Sequence, residues 1–193
     1  MRRSMRPPSH PRRSPADGPP TLADLLAGVG AVGLGLAMNR LTLPGFSWVR
    51  DPSLRSSAKL FIALHHSLQI AVPQLLALSL AALWVRLRRP WPTPRRLGRE
   101  PGFVACAASG LVVVAEALMT IPRLGDRRYA SPTTLFVGFA DVGGAAVVAS
   151  WLVLALGGRS RSRGGWVELA GRGLGLCWIA AALAHHAMYL LPR

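Results

Sequence analysis

The chain has 193 residues, of which 51% are hydrophobic, and a formal net charge of +15. Its basic residues form short clusters between long apolar runs, a pattern that fits anionic lipid headgroups and argues against a nucleic-acid partner. Apolar runs of about 18 residues or more are typical of membrane-spanning helices, so the composition excludes an ordinary soluble domain and predicts a multi-pass membrane protein.

The N-terminal segment, residues 1–20, is rich in Arg, Pro and Ser. Such a segment has too few apolar side chains to bury a core, so it is predicted to be a disordered cytoplasmic tail. The first apolar run predicts a helix over about 22–38. Its basic flank and the Gly35-Leu36-Ala37 stretch also resemble a secretory signal with a cleavage site, but the length of the run favours a retained helix.

Residues 21–193 are predicted to form an all-α transmembrane bundle. The other four helices are expected at about 60–85, 102–121, 134–156 and 167–190, and Pro73 should kink the second. With Arg172 counted on the inner side, fifteen basic residues fall inside and eight outside. The positive-inside rule therefore predicts five spans, or four after cleavage, oriented N-in and C-out in a cell inner membrane.

Six ionisable residues interrupt these apolar runs. Because such groups are costly in a bilayer, they usually face the interior of a bundle. At a rise of 1.5 Å per residue, each lies about 6–10 Å from the predicted outer end of its helix, so all six should share one depth. They are His65 and His66 in the second helix, Glu116 in the third, Asp141 in the fourth, and His185 and His186 in the fifth.

A metal site is the first interpretation of this layer. Neighbouring residues of a helix point about 100° apart, so only one histidine of each pair is expected to reach one ion. The predicted ligands are His66, Glu116, Asp141 and His186. Two neutral imidazoles and two carboxylates balance a divalent ion, and the mixed nitrogen and oxygen donors suit Zn, Fe or Mn.

A haem site is the second interpretation. One histidine of the second helix, His65 or His66, and one of the fifth, His185 or His186, would ligate the iron of haem b from opposite sides. The two carboxylates nearby and the lack of a clear haem signature count against this interpretation.

A proton relay is the third interpretation. Histidines and carboxylates at one depth could pass protons in a small proton-coupled carrier, with Pro73 as the flexible break. Taken singly, each of these residues is also compatible with a position near the headgroups, where its side chain is in contact with water.

A noncatalytic structural or assembly subunit is the alternative from another class. The small residues Ala23, Ala27, Ala31 and Gly35 repeat every four positions and could pack against a membrane-protein partner or a second copy of the chain. Asp24 and Glu168 are interpreted as carboxylates at the start of their own helices, and Trp151 and Trp178 as packing residues. The common nucleotide, protease and esterase motifs are absent from the sequence, which leaves an enzymatic role undecided.

Overall fold

The computed structural model describes residues 19–42, 55–88, 97–120, 132–158 and 165–190, without the side chains at 41–42 and 132–137. Those residues contain helices and no strands, and five helices are long and apolar enough to cross a membrane. The all-helical prediction with five such helices is therefore confirmed. The helices are α1 (Leu22–Thr42), α2 (Ser56–Arg88), α3 (Pro101–Thr120), α4 (Pro132–Leu156) and α5 (Trp166–Leu190).

Two helices extend three or four residues beyond their predicted ends. α1 continues to Thr42, and α2 begins at Ser56 and ends at Arg88. Polar residues at these ends continue the helical backbone beyond the apolar run, which is where the predicted helices stopped. All but two residues of the predicted N-terminal tail lie outside the described residues.

The start of α1 is fixed by a reciprocal cap. The backbone N–H of Thr21 donates to Asp24 Oδ2 at 2.9 Å, and the N–H of Asp24 lies 3.3 Å from Thr21 Oγ1. Each side chain thus satisfies a backbone donor that the first turn leaves without a helical acceptor. The role predicted for Asp24 at the start of its own helix is confirmed.

The core lies among α2, α3, α4 and α5, and α1 packs chiefly on α2. Trp178 of α5 is fully buried there, and its indole N–H donates to Ser79 Oγ at 3.1 Å. A Cβ atom at Gly143 of α4 would lie only 2.5 Å from Trp178 Cε3. The indole therefore fills space that a glycine leaves open, which confirms the predicted packing role of Trp178.

The contact between α1 and α2 lies beside Pro73. Proline has no N–H, so the carbonyl of Gln69, four residues earlier, lacks its usual helical donor. The next carbonyl, that of Ile70, accepts a hydrogen bond from the side-chain amide of Asn39 at 3.1 Å. Asn39 is the last buried residue described on α1, so this bond ties the end of α1 to the middle of α2.

A buried ion pair joins the end of α2 to the start of α3. Arg86 donates from Nε to Glu100 Oε2 at 2.8 Å and from Nη2 to Glu100 Oε1 at 2.7 Å. Their side chains are 9% and 7% exposed. Two parallel charge-assisted bonds in a buried position fix the relative direction of the two helix ends.

Glu168 connects α5 to the same region. Its Oε1 accepts the backbone N–H of Gly102, in the first turn of α3, at 2.9 Å and also Arg172 Nε at 3.0 Å. The carboxylate, which the sequence assigned to the start of its own helix, thus also caps a neighbouring helix. His185 follows Glu168 by 17 residues, or about 25 Å along α5, so this polar contact and the histidines occupy opposite ends of the bundle.

Candidate metal centre

Asp141 and His185 meet across the interface between α4 and α5. His185 Nδ1 lies 2.6 Å from Asp141 Oδ2, a short charge-assisted contact. The side chain of His185 is 9% exposed and that of Asp141 is 32% exposed. The pair therefore lies at the edge of the packed interior, where an ion from outside the bundle can still approach the carboxylate.

His186 reaches the other oxygen of the same carboxylate. Its Nδ1 lies 3.2 Å from Asp141 Oδ1, and its side chain is 71% exposed. The arrangement lacks hydrogen-bond geometry, and Oδ1 is a buried atom with no hydrogen-bond donor. Lone pairs of this oxygen therefore remain free to bind a cation.

One carboxylate, that of Asp141, lies close to both histidines of α5. The sequence predicted that only one histidine of each pair would reach a given ion. His185 and His186 do diverge, with their rings 65° apart and their centroids 6.1 Å apart. Asp141 lies between them, however, and presents a separate oxygen to each Nδ1. One carboxylate on the facing helix can thus lie close to two rings that point about 100° apart.

Tyr189 extends the cluster by one turn of α5. Its hydroxyl lies 3.4 Å from His185 Nε2, and the two rings meet edge to face with centroids 5.2 Å apart. Both ring nitrogens of His185 are therefore engaged. Tyr189 follows His185 by four residues, and this spacing was the signal in the sequence for the contact.

Asp141, His185 and His186 form a group with metal-ligand spacing. Each offers one donor atom, and the three atoms lie within 4.8 Å of one another. Tetrahedral bonds of about 2.0–2.1 Å place ligand atoms about 3.3 Å apart. The 3.2 Å between His186 Nδ1 and Asp141 Oδ1 matches this spacing, and His185 Nδ1 approaches the other oxygen of the same carboxylate at 2.6 Å. Two imidazoles and one carboxylate leave a fourth position open.

The histidines of α2 lie next to this group and have a different partner. Gln69 Nε2 lies 3.0 Å from His65 Nε2, and Gln69 Oε1 lies 3.0 Å from His66 Nδ1. Phe61 stacks on His65 with 6.3 Å between ring centroids. His65 is close enough to His185 to interact with it electrostatically. In the described part of the chain, the group with metal-ligand spacing includes neither histidine of α2.

Glu116 is an exposed residue of α3. The inward side of this helix passes from the buried Val113 to Ala117, which packs against the core. Glu116 precedes Ala117 and points about 100° away from that side. Among the described residues, the group with metal-ligand spacing includes neither Glu116 nor His66. Their assignment as ligands stays a prediction, as does haem ligation by the four histidines.

No protein-family model matches the chain, and no curated protein or solved structure is significantly similar to it.

Proposed function

We propose that this is a multi-pass inner-membrane protein, oriented N-in and C-out, that binds a divalent transition metal at Asp141, His185 and His186. The observation that carries the proposal is the convergence of three donor atoms from two helices within 4.8 Å. The donor set suits Zn, Fe or Mn. The N-in orientation places this metal centre near the outer face of the membrane.

The charge and the access of the site support an open, exchangeable centre. One carboxylate and two neutral imidazoles leave a divalent ion with a net charge of about +1, which favours water or an anionic fourth ligand. The exposure of His186 leaves a path for the ion from outside the bundle. A closed structural site would surround its ion with four protein ligands, so this set fits binding or transfer of the metal better.

Metal titration of the purified protein tests the proposal. The full-length chain is extracted, treated with a chelator and dialysed against Zn²⁺ or Mn²⁺, and bound metal is counted by mass spectrometry. We expect one ion per chain, lost in Asp141→Asn and in His185→Ala. His66→Ala and Glu116→Gln, which alter residues outside the group, should retain the ion. Absence of stoichiometric metal in the wild-type chain would overturn the proposal.

A proton relay is the second function that a specific contact favours. The contact is the 2.6 Å distance between His185 and Asp141, with Tyr189 on the opposite ring nitrogen. Three polar groups in sequence can pass a proton along the outer end of α5. Proton flux in reconstituted vesicles, abolished by Asp141→Asn and independent of a chelator, would favour the relay over the metal centre.

A further inference from the structure

An apolar groove opens on the surface of the bundle at the end opposite the histidines. It has a volume of about 350 Å³, within the range of roughly 300–1,000 Å³ typical of ligand pockets. It lies between the last turns of α4 and the first turns of α3 and α5. Its walls are formed by Pro101, Trp151, Leu154, Ala155 and Leu176, with Arg172 as the charged residue.

The walls of this groove are almost entirely apolar. Trp151 is the wall residue with a side-chain polar atom, and its indole N–H donates to the carbonyl of Pro101 at 3.0 Å. Leu176, one turn of α5 beyond Arg172, is 59% exposed. A hydrocarbon chain can therefore lie along the groove, because the indole N–H in its wall already has a hydrogen-bond acceptor.

Arg172 supplies a cation that its neighbours only partly neutralise. Its side chain is 37% exposed, and its Nε is bound to Glu168 Oε1 at 3.0 Å. Within the part of the chain that the structure describes, its two Nη atoms make no hydrogen bond. Glu168 also accepts the Gly102 N–H at the start of α3, where the helix dipole adds positive charge. The Nη side of Arg172 is therefore the part of this ion pair that an anion can approach.

We infer that this groove binds an anionic phospholipid, with the phosphate on the Nη atoms of Arg172 and one acyl chain along the apolar walls. Guanidinium groups bind phosphate oxygens through paired N–H donors. Basic pockets between membrane helices on the cytoplasmic side characteristically hold such headgroups.

A second groove on the same protein provides a built-in comparison. It lies between α1, α2 and α5, with a volume of about 330 Å³, and its lining includes Asp24 and Gly173 but neither Arg nor Lys. Its similar size and apolar character suit a lipid chain equally well. Its acidic residue gives no reason to prefer an anionic headgroup, so headgroup selectivity belongs to the groove at Arg172.

Native mass spectrometry of the full-length protein tests the inference. The protein is titrated with phosphatidylglycerol or phosphatidylcholine carrying identical acyl chains. We expect a preference of about fivefold for phosphatidylglycerol from one arginine. Arg172→Gln should abolish it, whereas Arg40→Gln, at an exposed site on α1, should retain it. An unchanged preference in Arg172→Gln would overturn the inference.

Variants that fill the two grooves give an independent readout. Ala155→Phe occupies the groove at Arg172 and should remove the preference for phosphatidylglycerol. Gly173→Phe occupies the second groove, where a Cβ atom meets nothing within 4 Å, and should leave the preference intact. If Arg172→Gln does not fold, Ala155→Phe and Gly173→Phe still test the inference. Equal phosphatidylglycerol binding by these two variants would overturn it.

Discussion

Asp141 of α4 and His185 of α5 are separated by 2.6 Å between Oδ2 and Nδ1, and the second oxygen of Asp141 lies 3.2 Å from His186. One carboxylate thus lies between two imidazoles that are consecutive in the chain. This arrangement is compatible with a metal ion bound between Asp141, His185 and His186. It is equally compatible with a proton shared between Asp141 and His185. Substitutions in this cluster therefore test the proposed function most directly.

Asp141→Asn should weaken metal binding by more than about 100-fold. Loss of an outer partner of a ligand typically costs 10–100-fold in affinity, and here a charged ligand is lost. Equilibrium dialysis with Zn²⁺ measures the change. Glu116→Gln is the matched control, because it neutralises an exposed carboxylate outside the cluster. An equal loss in Glu116→Gln would instead favour the ligand set predicted from the sequence.

Tyr189→Phe should lower metal affinity by about tenfold, the lower end of the effect of an outer partner. The Tyr189 hydroxyl faces His185 Nε2 at 3.4 Å and can accept its hydrogen when Nδ1 binds the ion. Zinc titration of the variant measures the effect. Unchanged affinity in Tyr189→Phe would show that the hydroxyl does not orient the ring.

Glu100→Ala should destabilise the fold by about 3–5 kcal/mol, because it leaves the buried charge of Arg86 without its partner. Replacing both residues by leucine should cost less than the single change, since no buried charge then remains. Thermal unfolding of the detergent-solubilised protein compares the variants. A double variant less stable than Glu100→Ala would contradict the prediction.

Gly143→Ala should destabilise the bundle by about 1–3 kcal/mol through overpacking. The added Cβ would lie 2.5 Å from Trp178 Cε3, and the buried indole has no open space around it. Gly138→Ala in the same helix is the control. A Cβ there meets nothing within 4 Å, so the helix should gain up to about 1 kcal/mol. Thermal melting that ranks the two variants in the opposite order would refute the packing argument.

The number of apolar helices could be predicted from the sequence because runs of this length have few other uses. The end of α2 could not, because polar residues extend this helix through Arg86 to Arg88 once a buried partner is available. That partner, Glu100, comes from the segment before α3. The only hints in the sequence were an arginine at the end of one helix and a glutamate just before the next.

The candidate site could be predicted only in part. Depth along each helix placed Asp141, His185 and His186 together, but depth does not fix the direction of a side chain. For Glu116, a spacing of three or of four residues from Val113 is equally compatible with an inward face. Packing selects Ala117, the residue at a spacing of four. The choice between two neighbouring residues depends on the other helices, which a single sequence does not position.

The amide of Gln69 couples the two imidazoles of α2 in opposite senses. It offers N–H to the Nε2 lone pair of His65 and oxygen to the Nδ1 hydrogen of His66, so both neutral rings carry their hydrogen on Nδ1. If His65 Nε2 is protonated, its N–H faces the N–H of the Gln69 amide. The amide must then rotate by 180° to present its oxygen to His65. That half-turn directs N–H at His66 Nδ1, whose hydrogen must then move to Nε2. One protonation event therefore rearranges the hydrogens of both rings.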